Sequence, residues 1–144
     1  MMNITKRIKR MILGFVFAIV PMLGGCSDNT VTWQEEVKLL DGRVITVTQK
    51  RRYEGRVPRE HWLTFNLPES GNQDITWHEN LLPQVLNVHE SKLYVVGTPF
   101  TENEYRQYGK PYPEYVPYRY ESGRWQRIPF IEIPLRQNSC RLKF

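Results

Sequence analysis

The sequence predicts a mainly β protein: one small domain of antiparallel hairpins with at most one short helix, preceded by an N-terminal signal helix. Two observations support this class. After residue 26 the chain is rich in Val, Ile, Thr, Tyr and Trp and poor in Ala, a composition that favours strands. Short alternating runs there are separated by turn residues. The hairpins are expected to form a curled sheet, a sandwich or a propeller-like fragment, and the sequence leaves these arrangements open.

The first 25 residues predict an export signal. Four basic residues lie within positions 6–10, and an uncharged apolar run follows from residue 11 to residue 23. Thirteen residues are too few for a permanent transmembrane helix, which needs about 20. The run therefore fits the apolar core of a secretory signal peptide. Pro21 and Gly24-Gly25 then interrupt any helix before Cys26.

The segment Leu23-Gly24-Gly25-Cys26 resembles the lipobox of bacterial lipoproteins. The resemblance covers the first 26 residues. It implies cleavage between Gly25 and Cys26 and acylation of Cys26, palmitate being among the acyl chains. Several chains anchor a protein far more firmly than one. Because Ser27 rather than Asp follows Cys26, the resemblance also favours the periplasmic face of the outer membrane, although Asp28 leaves the inner membrane open.

The charge of the chain after cleavage argues against nucleic acid as a partner. The whole chain has a net charge of +5, from 20 basic and 15 acidic residues. Removing residues 1–25 removes four basic and no acidic residues, which leaves +1. No overall basic field then remains to attract polyanions. A local basic cluster remains between Lys50 and Arg59, and we interpret it as a solvated strand end, with a site for anionic headgroups or for the acidic face of a partner as the alternative.

Four segments follow from these signals. Residues 1–25 are the signal peptide, 26–32 a lipidated polar tether, 33–135 the β domain and 136–144 an unstructured tail. If Cys26 is acylated, the second cysteine, Cys140, has no partner within the chain. It is interpreted as a spare thiol, with a disulfide to another protein as the alternative.

The first hairpin is the clearest local prediction. Residues 37–40 and 43–48 are strand-like, and Asp41-Gly42 separates them. Asp-Gly between two such runs predicts a type I′ turn. Residues 54–60 are expected to form a loop, because Gly55 and Pro58 interrupt them.

Two further strands and a second hairpin come next. Residues 61–67 alternate, which places Leu63, Phe65 and Leu67 on one face. Residues 75–78 form a short strand after a polar loop. Residues 85–89 and 93–96 then flank a Glu90-Ser91 turn.

One helix is predicted. Thr101 and Glu104 have the spacing of a capping box, and Gly109 is suited to end the helix, so residues 102–108 are the candidate. Residues 110–117 contain three prolines and cannot form a central strand.

A third hairpin is predicted from residues 118–120 and 124–128, which flank residues 121–123. Residues 131–133 are expected to add an edge strand. Residues 85–96 and 116–128 look alike, which suggests either an internal repeat or an ordinary meander. Residues 118–129 resemble the end of uncharacterised proteobacterial envelope lipoproteins, a resemblance that implies no activity.

No catalytic or metal site is predicted. His61, His78 and His89 each stand beside a glutamate, but adjacent side chains in a strand point to opposite faces. No spacing typical of a metal site or of a nucleophilic serine is present. We therefore expect no metal, no cofactor and no enzymatic activity.

The candidate binding surface is a tyrosine-rich and proline-rich stretch. Tyrosine combines a large apolar ring with a polar tip and is common at interfaces. We predict that an envelope protein or glycan binds at Tyr105, Tyr108, Tyr112, Tyr115, Tyr118 and Tyr120. The other interpretation is that these rings cover the sheet.

The function expected from the sequence is that of a lipid-anchored envelope lipoprotein that serves as a binding or structural module facing the periplasm. An inhibitor or accessory subunit of an envelope enzyme is the alternative, and a cell-wall hydrolase is less favoured.

Overall fold

The structure, a computed structural model, describes residues 29–134. The signal helix, the lipobox with Cys26, residue Cys140 and the tail 136–144 lie outside the described residues. Predictions about them are therefore not addressed by the fold.

The described chain forms eight strands in two antiparallel sheets, which confirms the mainly β class. The first sheet has the order β1-β2-β3-β4, and its strands are β1 (Asn29–Lys38), β2 (Val44–Glu54), β3 (Val57–Asn66) and β4 (Asp74–Glu79). The second has the order β5-β6-β7-β8, with β5 (Leu82–His89), β6 (Lys92–Thr98), β7 (Val116–Glu121) and β8 (Arg124–Arg127). One helix, α1 (Glu102–Gln107), and the 3₁₀ turns Pro68–Ser70 and Phe130–Glu132 complete the fold.

The two sheets pack face to face around one core, so the described residues form a sandwich. In β2, β3 and β4 the buried residues alternate with more exposed ones, as expected for half-buried strands, whereas β6 is buried at every residue from 93 to 97. Trp77 of β4 is fully buried and meets Tyr118 of β7 edge to face at 5.8 Å. Trp125 of β8 donates from Nε1 to the carbonyl of Thr76 in the other sheet at 3.0 Å.

The sheets approach closely at Gly97 on β6. A Cβ atom at this position would lie 2.7 Å from Cβ of Leu81 and 3.1 Å from the Trp77 ring. Glycine is needed here because the link between the sheets crosses directly over β6.

The capping box and the helix end are confirmed. Thr101 accepts from the Glu104 amide, and Glu104 accepts from the Thr101 amide at 3.1 Å. Gly109 follows the helix with φ 81°, the left-handed conformation typical of this position.

The β1–β2 hairpin is confirmed, but the predicted type I′ turn is wrong. The Gly42 amide donates to Leu39 O at 3.0 Å, and the Leu39 amide donates to Arg43 O at 2.8 Å. Gly42 has φ 91°, whereas Asp41 does not have a positive φ. The loop therefore has three residues with a left-handed glycine at the third. Asp41 instead accepts from the Arg43 amide at 3.0 Å.

The predicted loop over residues 54–60 is also wrong, because β2 and β3 form a tight hairpin there. Gly55 has φ 62° and is the first of two loop residues, the position that a type II′ turn gives to glycine. Pro58 is tolerated in β3 because the register shifts beside Tyr53 and because β4 ends at Glu79, opposite His61.

Three smaller differences concern boundaries. Residues 29–32 of the predicted tether pair with β2 as the start of β1. Pro117, in a segment that was not expected to form a central strand, is the second residue of β7. It lies just before Tyr118, the first residue of β7 that pairs with β8. Residues 131–133 do not form an edge strand; the Phe130–Glu132 segment is a 3₁₀ turn.

The connections lie at two opposite ends of the sandwich. The N-terminal end holds the start of β1, the β2–β3 loop, the β4–β5 link and the long β6–β7 connection. The turn end holds the β1–β2, β3–β4, β5–β6 and β7–β8 loops. Because the link from β4 to β5 has only two residues, 80–81, the end of β4 and the start of β5 lie close together. The N-terminal end of the first sheet therefore lies beside the N-terminal end of the second. The chain after β8 also leaves at the N-terminal end, because Arg127 pairs with Tyr118 near the start of β7.

Candidate functional site

The six tyrosines predicted to form one surface are divided by the fold into three environments. Tyr118 is buried in the core, and Tyr120 packs against the core with Trp125 at 5.2 Å. Tyr105 is half-buried on α1. The rings of Tyr118 and Tyr120 therefore fill or cover the sheets, which was the alternative interpretation.

Tyr108 lies at the N-terminal end between α1 and β4. Its hydroxyl donates to Glu79 Oε2 at 2.8 Å and also contacts the Asn80 side chain. Arg127 lies over its ring and donates to its carbonyl at 2.8 Å. The pKa of Tyr108 is raised, mainly because the side chain is buried and then because the Glu79 carboxylate is close to its hydroxyl. The pKa of Tyr118 is raised for the same two reasons. Both phenols therefore act as neutral hydrogen-bonding groups.

Tyr112 and Tyr115 remain at the surface and line a groove of about 400 Å³. Tyr115 stacks on Phe130 with centroids 6.0 Å apart and ring planes at 15°. We call this the aromatic groove. Its lining is mainly three aromatic rings and four prolines, to which Arg127 and Ile128 are added: Tyr112, Tyr115, Phe130, Pro111, Pro113, Pro117 and Pro129.

Hydrogen bonds from neighbouring strands hold the groove in place. Thr98, at the end of β6, donates to the Glu114 carbonyl at 2.8 Å. The Ile128 amide donates to the Pro117 carbonyl at 3.1 Å and fixes the second wall. The Tyr112–Pro113 peptide bond is cis. Proline also restricts the backbone, so an opposing surface meets a groove that is already formed.

Exposure of apolar side chains is greatest around the aromatic groove. Tyr112 is 95% exposed, and Ile131, which follows Phe130 in the chain, is 92% exposed. Such side chains gain nothing from folding, so a cluster of them marks an interaction surface. Sequence reasoning selected Tyr112 and Tyr115 but missed Phe130 and Ile131, because the second wall comes from beyond β8.

A second concavity lies between β2, β3, β4 and α1, with a volume of about 480 Å³. We call it the charged cleft. Its charged lining consists of four glutamates, two arginines and one histidine: Glu54, Glu60, Glu79, Glu104, Arg52, Arg59 and His78. Sequence reasoning missed it, since these residues come from four elements and no local motif brings them together.

Ion pairs occupy most of this cleft. Arg59 bridges Glu54 at 2.8 Å and the buried carboxylate of Glu104 at 3.0 Å. Arg52 pairs with Glu60, which also lies 3.4 Å from His78 Nε2. The hydrogen bond from Arg52 is the main reason that the pKa of Glu60 is lowered. The cleft thus joins α1 to the first sheet.

The three histidines do not converge. His61 points into the sandwich, and its pKa is lowered to about 3 by burial and then by the Arg51 charge. His78 stacks on Trp62 on the outer face, with centroids 4.4 Å apart. His89 is at the turn end beside Glu90. Within residues 29–134 no group of three His, Cys, Asp or Glu residues is placed to hold a metal ion.

In the basic cluster between Lys50 and Arg59, Lys50 and Arg51 contact nearby aromatic rings. Arg51 lies over the Trp33 ring at 5.1 Å and near the Tyr53 ring at 5.9 Å, and Lys50 lies over Trp62 at 4.7 Å. Among the described residues, no helix is long and apolar enough to cross a membrane.

Comparison with known proteins adds no relative. No family model, curated protein or solved structure matches this chain.

Proposed function

We propose that this chain is a lipid-anchored lipoprotein of the bacterial envelope, facing the periplasm, and that it acts by binding through the aromatic groove. The lipobox-like segment ending at Cys26 supports the anchor. The groove supports binding. The single observation on which the binding proposal rests is the exposure of Tyr112 and Ile131 beside the Tyr115–Phe130 stack.

Exposure favours binding over a structural role for this surface. A ring that stabilised the fold would be buried, as Tyr118 is, whereas Tyr112 is 95% exposed. Tyrosine loses few rotamers when it is buried against a partner, and its hydroxyl still finds a hydrogen bond at the rim. The prolines add stiffness. The groove therefore has the composition of a binding surface and the rigidity to act as one.

The anchor is tested by fractionation and intact-mass analysis of the wild-type and Cys26→Ala proteins. We expect membrane association and an acyl mass on Cys26, both lost in the variant. A soluble, unmodified wild-type protein would overturn the anchor.

The binding surface is tested by photocrosslinking in cells. A photoreactive amino acid replaces Ile131, beside the groove, and Val44, a 58% exposed control at the turn end. We expect an adduct from position 131 only, formed with the protein, glycan or lipid that covers the groove. Adding Tyr112→Ala and Tyr115→Ala should remove that adduct while the domain still unfolds in one cooperative transition. Equal yields from both positions, or an adduct that survives the double substitution, would argue against the groove.

The adduct also separates the alternatives. One stoichiometric enzyme crosslinked at position 131 would favour an inhibitor or accessory subunit, which the binding proposal includes as a special case.

A cell-wall hydrolase is the second candidate, because the charged cleft brings four carboxylates together. A glycosidase needs one carboxyl group with a raised pKa as general acid, whereas the pKa of Glu60 is lowered. The experiment is digestion of purified cell-wall sacculi by the wild-type, Glu60→Gln and Glu79→Gln proteins. Release of soluble fragments by the wild type but not by the variants would establish hydrolysis.

A further inference from the structure

Exposed large apolar side chains are concentrated at the N-terminal end. Within residues 29–134, five of the six lie there, and Val44 is the exception. They come from the start of β1, the β6–β7 connection and the segment after β8: Val31, Phe100, Tyr112, Tyr115 and Ile131. Three separate parts of the chain thus place exposed apolar groups at this end.

The same end is the one closest to the predicted anchor. β1 begins at Asn29, only three residues after Cys26. Three extended residues span at most about 11 Å. Since residues 29–32 belong to β1, little free chain separates the folded domain from the acyl chains. If Cys26 is acylated, the N-terminal end therefore lies near the lipid headgroups.

The chemistry of the exposed groups suits a bilayer interface. Tyrosine rings are favoured at headgroup depth, where the apolar ring and the polar hydroxyl each find a matching environment. Ile131 adds an apolar side chain able to reach the acyl boundary. Charge contributes little, because the exposed charges named at this end are of both signs and equal in number: Arg56, Lys110, Glu54 and Glu114. Apolar contact is thus the larger effect.

We propose that the N-terminal end of the sandwich rests on the bilayer that holds the acyl chains, with Tyr112 and Ile131 in the headgroup region. The lipid interface is then the partner of the aromatic groove. This inference rests on the proposed acylation of Cys26 and defines the partner of the proposed binding surface. The anchor holds the domain near the membrane, and the apolar contacts orient it. The turn end faces the periplasm.

The experiment uses the full-length acylated protein, in a Cys140→Ser background, in liposomes of phosphatidylethanolamine and phosphatidylglycerol. A nitroxide label is attached at Glu114→Cys, between Tyr112 and Tyr115, which leaves both rings in place. The matched control is Ser122→Cys at the turn end. Electron paramagnetic resonance then compares collisions with oxygen, which concentrates in lipid, and with a water-soluble nickel chelate.

We expect the oxygen-to-nickel collision ratio to be several-fold higher at position 114 than at position 122. Adding Tyr112→Ser and Ile131→Ser should bring the ratio at 114 down to that at 122, while the protein still floats with the liposomes. Equal ratios in floating wild-type protein would overturn the inference and leave the anchor intact.

Two other outcomes are distinguishable. Protein that does not float lacks a working anchor, which overturns both the proposed function and this inference. A label at position 114 that is shielded in native envelopes, but not in pure liposomes, points to a protein or glycan partner. That result overturns the lipid inference and leaves the binding function standing.

Discussion

His61 shows how one buried side chain links stability to pH. It points inward from β3 and is 2% exposed, and its ring nitrogens have no hydrogen-bond partner among the described residues. Burial lowers its pKa from 6.5 to about 3, so it stays neutral in the folded protein. Between these values the unfolded chain binds a proton that the folded protein does not. Stability is therefore complete above pH 6.5 and falls as the pH is lowered towards 3.

The first prediction concerns His61→Phe. Between pH 6.5 and 4.5 the wild type should lose up to about 1.4 kcal/mol of unfolding free energy per pH unit relative to the variant. At pH 7 the variant should be at least as stable, since a phenyl ring buries no unsatisfied nitrogen. Urea denaturation at a series of pH values measures this. His89→Gln, an exposed site, is the control. Parallel pH profiles for wild type and His61→Phe would contradict it.

At the scale of elements, the second sheet contains two hairpins with matched loops. Glu90 and Ser91 join β5 to β6, and Ser122 and Gly123 join β7 to β8. All four residues have positive φ, as in type I′ turns. The likeness between residues 85–96 and 116–128 thus corresponds to two similar hairpins of one sheet. Ser91 adopts φ 60° at the position where the other hairpin has glycine.

The second prediction exchanges residues at this shared position. Ser91→Gly should stabilise the protein by about 1 kcal/mol, because glycine adopts a left-handed conformation without steric cost. Gly123→Ser should destabilise it by a similar amount. Thermal and chemical denaturation measure both changes. Shifts of the same sign in the two variants would contradict this account of the loops.

Helix α1 is held against β3 by a buried charge. The Glu104 side chain is 4% exposed and receives Arg59 at 3.0 Å, whereas Arg106 pairs with Glu102 on the exposed side of the same helix at 2.8 Å. Removing one partner of a buried pair leaves the other charge poorly solvated. An exposed pair adds little.

The third prediction compares these two arginines. Arg59→Gln should reduce the unfolding free energy clearly more than Arg106→Gln does, because it leaves the Glu104 carboxylate buried without its partner. Arg106→Gln removes the same charge from the exposed side of α1 and should cost about 0.5 kcal/mol or less. Urea denaturation at neutral pH measures both. Equal losses would show that burial of Glu104 does not govern the strength of the contact.

In the molecule as a whole, the two sheets share one core. Tyrosines that lie inside this core stabilise the fold, whereas tyrosines outside it remain at the surface. Tyr118 is 6% exposed and packs on Trp77 between the sheets. Tyr112 is almost fully exposed, although only five residues separate the two. The separation follows from topology: Tyr112 lies in the connection beyond the sheet edge, and Tyr118 lies inside β7.

The fourth prediction uses this division. Tyr118→Ala should cost about 3 kcal/mol or more, because it leaves a cavity in the shared core. Tyr112→Ala combined with Ile131→Ala should change the unfolding free energy by about 0.5 kcal/mol or less. Thermal unfolding followed by circular dichroism distinguishes them. A large loss in the surface double variant would mean that the groove is part of the core.

Local signals predicted local structure well. The capping box at Thr101 and Glu104, the alternation over residues 61–67 and the Glu90-Ser91 turn correspond to observed elements. The failures have local causes as well. The Asp41 side chain accepts a hydrogen bond from the Arg43 amide, and Asp41 does not adopt the positive φ that a type I′ turn requires. Pro58 is accepted in a strand because a bulge and a short neighbour remove the need for its amide.

The site was only half predictable. Composition pointed to Tyr112 and Tyr115, but nothing adjacent in sequence indicated that Phe130 would stack on Tyr115 or that Ile131 would be exposed beside them. The charged cleft had no local signal at all. Burial of a tyrosine depends on what packs over it, and that information lies in distant strands.

Residue spacing within short segments was enough to predict the β class, most of the strands and turns, and an N-terminal anchor. Three properties became visible only in the folded chain: the hairpins form a sandwich, Tyr118 is buried while Tyr112 is exposed, and the exposed apolar groups gather where β1 begins. Those properties depend on which distant residues meet. Contacts of that kind result from the packing of the whole chain, and no short segment specifies them.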